Sequence, residues 1–171
     1  MNYTSKGAVL SDDRAFRYHL WRSWSGVDLF TPVSMIFIML NPSTADGRED
    51  DPTIKRCVGF ARSYGCERLD VVNLFAYRAT KPEDLKRSVK ASGLVGDPEN
   101  DGFIMRLLAD RPSAVVVAAW GEHGRMLGRD AEMLALLKLA RRQPFALRIS
   151  ESGMPSHPLY IPANADLVPY G

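Results

Sequence analysis

Three polar residues of this chain, Asn41, Asn73 and His157, occur where a side chain could do chemistry. Asn41 follows the apolar run Val33-Ser-Met-Ile-Phe-Ile-Met-Leu40 and precedes Pro42-Ser43-Thr44. An amide directly after a buried strand can be held out to a ligand while the proline stiffens the backbone beside it. Asn-Pro also favours simple turns, so both readings stand. Asn73 interrupts Val71-Val72-Asn73-Leu74-Phe75. A buried amide must find partners or cost about 1–3 kcal/mol, so it bonds neighbouring backbone or waits for a ligand. Its paired donor and acceptor would suit the edge of a nucleobase. His157 lies between Ser156 and Pro158, where an imidazole can be a neutral hydrogen-bond donor, a general acid or base, or an exposed bystander.

Other chemistries find less support. His19 and His123 have no partners at metal-ligand spacing and there is no H-E-x-x-H, so no metal site is expected. The acidic run Asp46 to Asp51 offers carboxylates to magnesium, but a solvated loop ending in a helix cap explains it more simply. No phosphate-binding G-x-x-x-x-G-K-[ST], dinucleotide G-x-G-x-x-G or G-x-S-x-G nucleophile elbow is present. Cys57 and Cys66 form no C-x-x-C pair and read as core packing in a reducing compartment. With 22 basic against 20 acidic side chains, the net charge of +2 permits contact with nucleic acid without demanding it. No apolar run reaches the roughly 18 residues of a membrane span, and Met1 to Ser5 lack signal-peptide character. A cytoplasmic protein with no membrane partner is expected.

These residues need elements to position them. The 171 residues suffice for one domain, 1–171. Residues 8–24 alternate, with Phe16, Tyr18 and Leu20 on one face and Arg17, His19 and Trp21 on the other, which predicts an antiparallel strand or hairpin. Val33–Leu40, Leu69–Phe75, Ala114–Ala119 and, more weakly, Phe145–Ile149 read as buried strands. Asp51-Pro52 predicts a helix start and Gly65 its stop; Thr80 with Glu83 reads as a capping box. Asp97-Pro98 opens another helix, a long one is expected from Arg125 to Arg141, and the tail reads as Pro-rich coil. Strands alternating with helices predict an α/β fold of three layers, αβα, around a short parallel sheet of about four strands, beside the N-terminal antiparallel element. Ligands of such sheets bind outside the carboxyl ends of the strands. That rule gathers Asn41, Asn73, Trp120 and the His157 loop along one edge.

The four strand-end motifs together resemble the uracil-DNA glycosylase superfamily, in consistent order from Met35 to Leu159. Leu40-Asn41-Pro42 is similar to the first motif of the Asn-bearing, mismatch-specific branch, although Met39-Leu40 stand in place of its leading Gly. Val72-Asn73 resembles the strand-end Asn that reads an extruded base, Trp120-Gly121 a structural signature, and Ser156-His157-Pro158-Leu159 a shortened last motif. Leu40-Asn-Pro-Ser-Thr-Ala-Asp46 with Asn73-Leu-Phe75, Trp120-Gly121 and His157-Pro-Leu-Tyr160 more closely resembles domain-of-unknown-function family 1643. The superfamily resemblance implies an N-glycosidic hydrolase acting on a damaged or modified base, in DNA more than RNA, or on a nucleotide. Asn41 would orient water, Asn73 would read the base and His157 would stabilise the leaving base. Pro42, Ser43, Phe75, Tyr77 and Trp120 would shape or stack the base pocket, with no cofactor. The motifs lack the serines that grip DNA phosphates, which favours an alternative: a non-catalytic binder of a nucleobase or nucleic acid using the same pocket.

Overall fold

The computed structural model describes residues 2–25, 33–43, 45–80, 83–87 and 98–171. One sheet of seven strands runs through it, in the order β1-β2-β4-β3-β5-β6-β7. The strands are β1 (Ser5–Leu10), β2 (Arg17–Ser23), β3 (Ser34–Met39), β4 (Arg68–Asn73), β5 (Val115–Ala118), β6 (Pro144–Ala146) and β7 (Val168–Pro169). The middle four, β4-β3-β5-β6, are parallel. The sheet is thus larger than about four strands. The N-terminal hairpin extends it by pairing β2 antiparallel to β4, and the tail adds β7 antiparallel to β6 where plain coil was expected.

β3 is buried on both faces because every residue of it packs. Met35, Phe37 and Met39 join a core with Ile54, Cys57, Val58 and Phe60 of helix α1 (Pro52–Ser63). Ile36 and Ile38 join the other core, with Ile104 and Leu108 of α3 (Pro98–Asp110) and Met133 and Leu137 of α4 (Arg129–Leu139). Helices therefore cover both faces of the sheet. A short helical stretch at 83–87, α2, precedes α3. Two expected helix signals fall partly outside the described residues: Asp97, and positions 81–82 inside the Thr80–Glu83 capping box. Among the described residues no helix is long and apolar enough to cross a membrane.

The Asp51-Pro52 start is as the sequence predicts: Asp51 Oδ1 accepts from the Ile54 amide at 2.8 Å. Gly65 follows the helix at φ 70°, where a left-handed residue ends the chain's helical course. Two expectations need correction. The alternation along β2 is broken by a bulge: Val9 faces His19 and Leu10 faces Arg17, leaving Tyr18 as the extra residue. Tyr18 consequently stacks on Phe103 of α3, while Leu20 packs in the core beneath α1. The helix expected from Arg125 instead begins at Arg129. Residues 122–128 form a 3-10 segment, broken at Met126 (ψ 120°) and Leu127 (φ 57°) and followed into α4 through Gly128 at φ 74°. Both cysteines are buried and free, and burial pushes their thiols upward.

Candidate functional site

A cavity of about 630 Å³ opens where the parallel strands end. Met39, Leu40, Asn41 and Ser43 reach it from the end of β3, Trp120 and Gly121 from the end of β5, and Arg148 from just beyond β6. The start of α1 adds Asp51, Thr53 and Ile54, and the last loop adds Ser156, His157 and Tyr160.

Asn41 is held from two sides. Its Nδ2 donates to the carbonyl of Ala79 at 2.7 Å and to that of Pro42 at 3.1 Å. Carbonyls only accept, so this network fixes the amide orientation and leaves Oδ1 as the acceptor free for a ligand. The Ala79 amide returns a bond to the Pro42 carbonyl. That loop is itself anchored where β4 ends. Arg129 donates to the Leu74 carbonyl through Nε and Nη2, and Asn100 donates to the carbonyls of Asn73 and Leu74.

His157 is fixed by its own loop. Its Nδ1 accepts from the Leu159 amide at 3.3 Å, so in the neutral ring the proton sits on Nε2. Burial pushes the imidazole below its ordinary pKa, with the Asp51 charge pulling the other way. The ring is thus a neutral N–H donor near pH 7. Two backbone bonds of 2.8 Å hold the approach to this loop: Gly121 N to Pro155 O, and Ser156 N to Arg148 O. Gly121 has φ 68° and ψ −170°, a backbone region that a side chain would strain.

Trp120 is buried in the core shared with α3 and α4, and its ring meets Tyr170 edge-on at 5.7 Å. A Cβ on Gly124 would lie 2.0 Å from the indole Cδ1, so only glycine lets this segment approach the ring so closely.

Of the other expected residues, all but Ser43 lie apart from the cavity lining. Asn73 is 1% exposed, pairs in register with Met39, and has no partner for either side-chain polar atom. Phe75 is buried in the α3–α4 core, Tyr77 meets Phe16 edge-on, and buried Pro42 contributes its carbonyl to the Asn41 network. Ser43 does line the cavity.

Sequence reasoning missed Arg17, Asp51, Glu122, Arg148 and Tyr160 as cavity residues. Asp51 was read only as a helix cap. Tyr160, 75% exposed, lies 5.8 Å ring to ring from His157. Glu122 accepts hydrogen bonds from Ser150 and Ser152, which hold its carboxyl below the usual range. The acidic run is no free cation ligand set. Arg22 donates to the Asp50 carboxylate at 2.6 Å and to the Asp46 carbonyl at 2.7 Å, and Asp46 Oδ1 accepts from the amides of Arg48 and Glu49. Among the described residues no three His, Cys, Asp or Glu side chains are grouped to hold a metal.

Residues 17–159 match the family described as "Protein of unknown function (DUF1643)", and the chain belongs to that family. No curated protein and no solved structure matches.

Proposed function

We propose that this member of the DUF1643 family is a nucleobase-recognising N-glycosidic hydrolase, acting on a damaged or modified base in DNA or in a related nucleotide. One observation carries the reading: a single cavity is lined by both Asn41, whose Oδ1 is the free acceptor, and neutral His157, whose Nε2–H is the free donor. Hydrolysis breaks the bond between the sugar C1′ and the base nitrogen, and its electron pair leaves with the base. Water oxygen bonds to C1′. Asn41 Oδ1 orients that water, and the Asp51 carboxylate, on the same cavity, can take its proton. His157 Nε2–H hydrogen-bonds the base as negative charge develops, which stabilises the transition state more than the ground state. Tyr160 is the exposed aromatic ring available for stacking, and the buried Trp120 supports the cavity from beneath. Asn73 does not line the cavity and is assigned no contact with the base. The chemistry requires no cofactor.

A second reading is a non-catalytic nucleobase or nucleic-acid binder using the same cavity. The observation favouring it is that both amide hydrogens of Asn41 are spent on backbone carbonyls, as a purely structural residue would spend them.

The test is incubation of the full chain with single- and double-stranded oligonucleotides carrying damaged or modified bases, and with the corresponding free nucleotides. Free base and binding are scored together. Release of base from at least one substrate, lost in Asn41→Ala and His157→Ala, is expected. Binding without release would favour the second reading, and neither would remove both.

A further inference from the structure

We propose that Arg17 is the anion-binding residue of this cavity, and that the anion is the phosphate of a free nucleotide rather than the backbone of a nucleic-acid chain. The inference rests on the base-cavity reading above and names its substrate class. Arg17 is 2% exposed yet lines the cavity. Its Nη1 donates to the Ala45 carbonyl at 2.6 Å, and its Nε has no hydrogen-bond partner. The other two buried arginines are treated differently. Arg22 is paired with Asp50, and Arg129 with Asp101 and Glu132. Among the described residues no carboxylate lies within 4.0 Å of Arg17. A guanidinium removed from water with no carboxylate in contact is costly, and an anionic ligand group would offset that cost with charge-assisted, bidentate bonds.

The surroundings select the kind of anion. A cavity of about 630 Å³ falls in the range that takes small ligands, and a nucleotide fits it. Asp51 and Glu122 line the same cavity. Those carboxylates oppose a polymer whose phosphates must run along the surface. A terminal phosphate on a free nucleotide can pass them and reach a buried guanidinium; an internal phosphodiester brings further phosphates against them. Asp51 and Asp46 favour the Arg17 charge from beyond contact distance, while Arg78 and Arg22 oppose it.

The experiment is calorimetric titration of the full chain with the 2′-deoxynucleoside 5′-monophosphates, the matching nucleosides, deoxyribose 5-phosphate and a short single-stranded oligonucleotide. Wild type, Arg17→Lys and Arg17→Met are compared. At least one monophosphate should bind wild type about 10- to 100-fold tighter than its nucleoside, as a charge-assisted contact implies. Arg17→Lys should lose most of that ratio and Arg17→Met all of it, with nucleoside affinity retained. Should Arg17→Met fail to fold, Arg17→Lys carries the test, because it keeps the charge and removes the planar fork. Equal binding of nucleoside and monophosphate to wild type, an unchanged ratio in Arg17→Lys, or tighter binding of the oligonucleotide would overturn the inference while leaving the base cavity in place. Deoxyribose 5-phosphate binding as tightly as every nucleotide would instead overturn the base reading, and the nucleotide assignment with it.

Discussion

Hydrogen-bond arithmetic decides what Asn41 can do. Its two donors face the carbonyls of Pro42 and Ala79. Asn41→Asp would set carboxylate oxygens against both carbonyls, and leaving such groups unsatisfied costs about 1–3 kcal/mol. Thermal denaturation should therefore show Asn41→Asp melting well below the wild type. His157 gives a pH prediction. Burial disfavours the imidazolium, so the neutral ring, the only form whose Nδ1 can accept from the Leu159 amide, persists below the ordinary histidine pKa of 6.5. Base release should hold its rate as pH falls to 6.5 and decline only at more acidic values. Because Asp51 favours the charged ring, Asp51→Asn should move the titration of His157 itself, followed by NMR, further into acid; a wild-type midpoint at or above pH 6.5 would contradict the assignment. Asn41 and His157 were legible in the sequence because each stands at the end of a run whose period and punctuation set its place. Arg17 was not legible: in an alternating strand it looks like one more outward charge, and only the bulge at Tyr18 and the fold of the loop through Ala45 turn it into a buried cavity residue. Asn73 was legible as buried, but not as lying outside the cavity lining, since strand pattern does not reveal which neighbour covers a residue.

The stretch after β5 shows how an element can be shaped by one side chain. A long helix is expected from Arg125, yet helix α4 waits until Arg129. Gly124 sits against the Trp120 indole, and a methyl group there would overlap the ring. Gly124→Ala must displace Trp120 or the segment, a form of overpacking that costs about 1–3 kcal/mol. It should lower the melting temperature and, because Trp120 lines the cavity, weaken ligand binding too, which titration would detect. Trp120→Ala should destabilise more, by about 3–5 kcal/mol; an unchanged melting temperature would show that the ring contributes no packing. The start of α1 was legible because Asp-Pro carries cap and first-turn signals in adjacent residues. The late start of α4 was not, because it follows from the backbone break at Met126, Leu127 and Gly128, and neither Met126 nor Leu127 is a residue type that signals one.

Across the whole molecule, the N-terminal hairpin is joined to the parallel sheet where β2 meets β4, and Asp70 is buried at that seam. Burial alone would raise its pKa, but hydrogen bonds from His19 at 2.8 Å and from Arg68 outweigh burial and hold it below the ordinary value. A folded-state carboxyl below its unfolded value contributes stability that is complete above the unfolded pKa, near 3.9, and lost as pH falls through the folded one. Stability should therefore drop as the solution is acidified below about pH 4, and Asp70→Asn should flatten that drop while lowering stability at pH 7. Chemical denaturation at a series of pH values measures both. The parallel strands were legible from alternating elements and the N-terminal hairpin from its period of two; the pairing of β2 onto β4 and the short β7 depend on edge contacts that no local pattern specifies. The central claim is that this edge of the sheet cleaves an N-glycosidic bond. Its most direct test is the single-turnover rate of free-base release from a bound substrate, measured for wild type, Asn41→Ala and His157→Ala alongside the affinity of each. The account predicts release by the wild type, with the rate falling at least tenfold in both variants while affinity stays similar. Release at full rate by Asn41→Ala, or tight binding by the wild type with no release from any substrate, would contradict it.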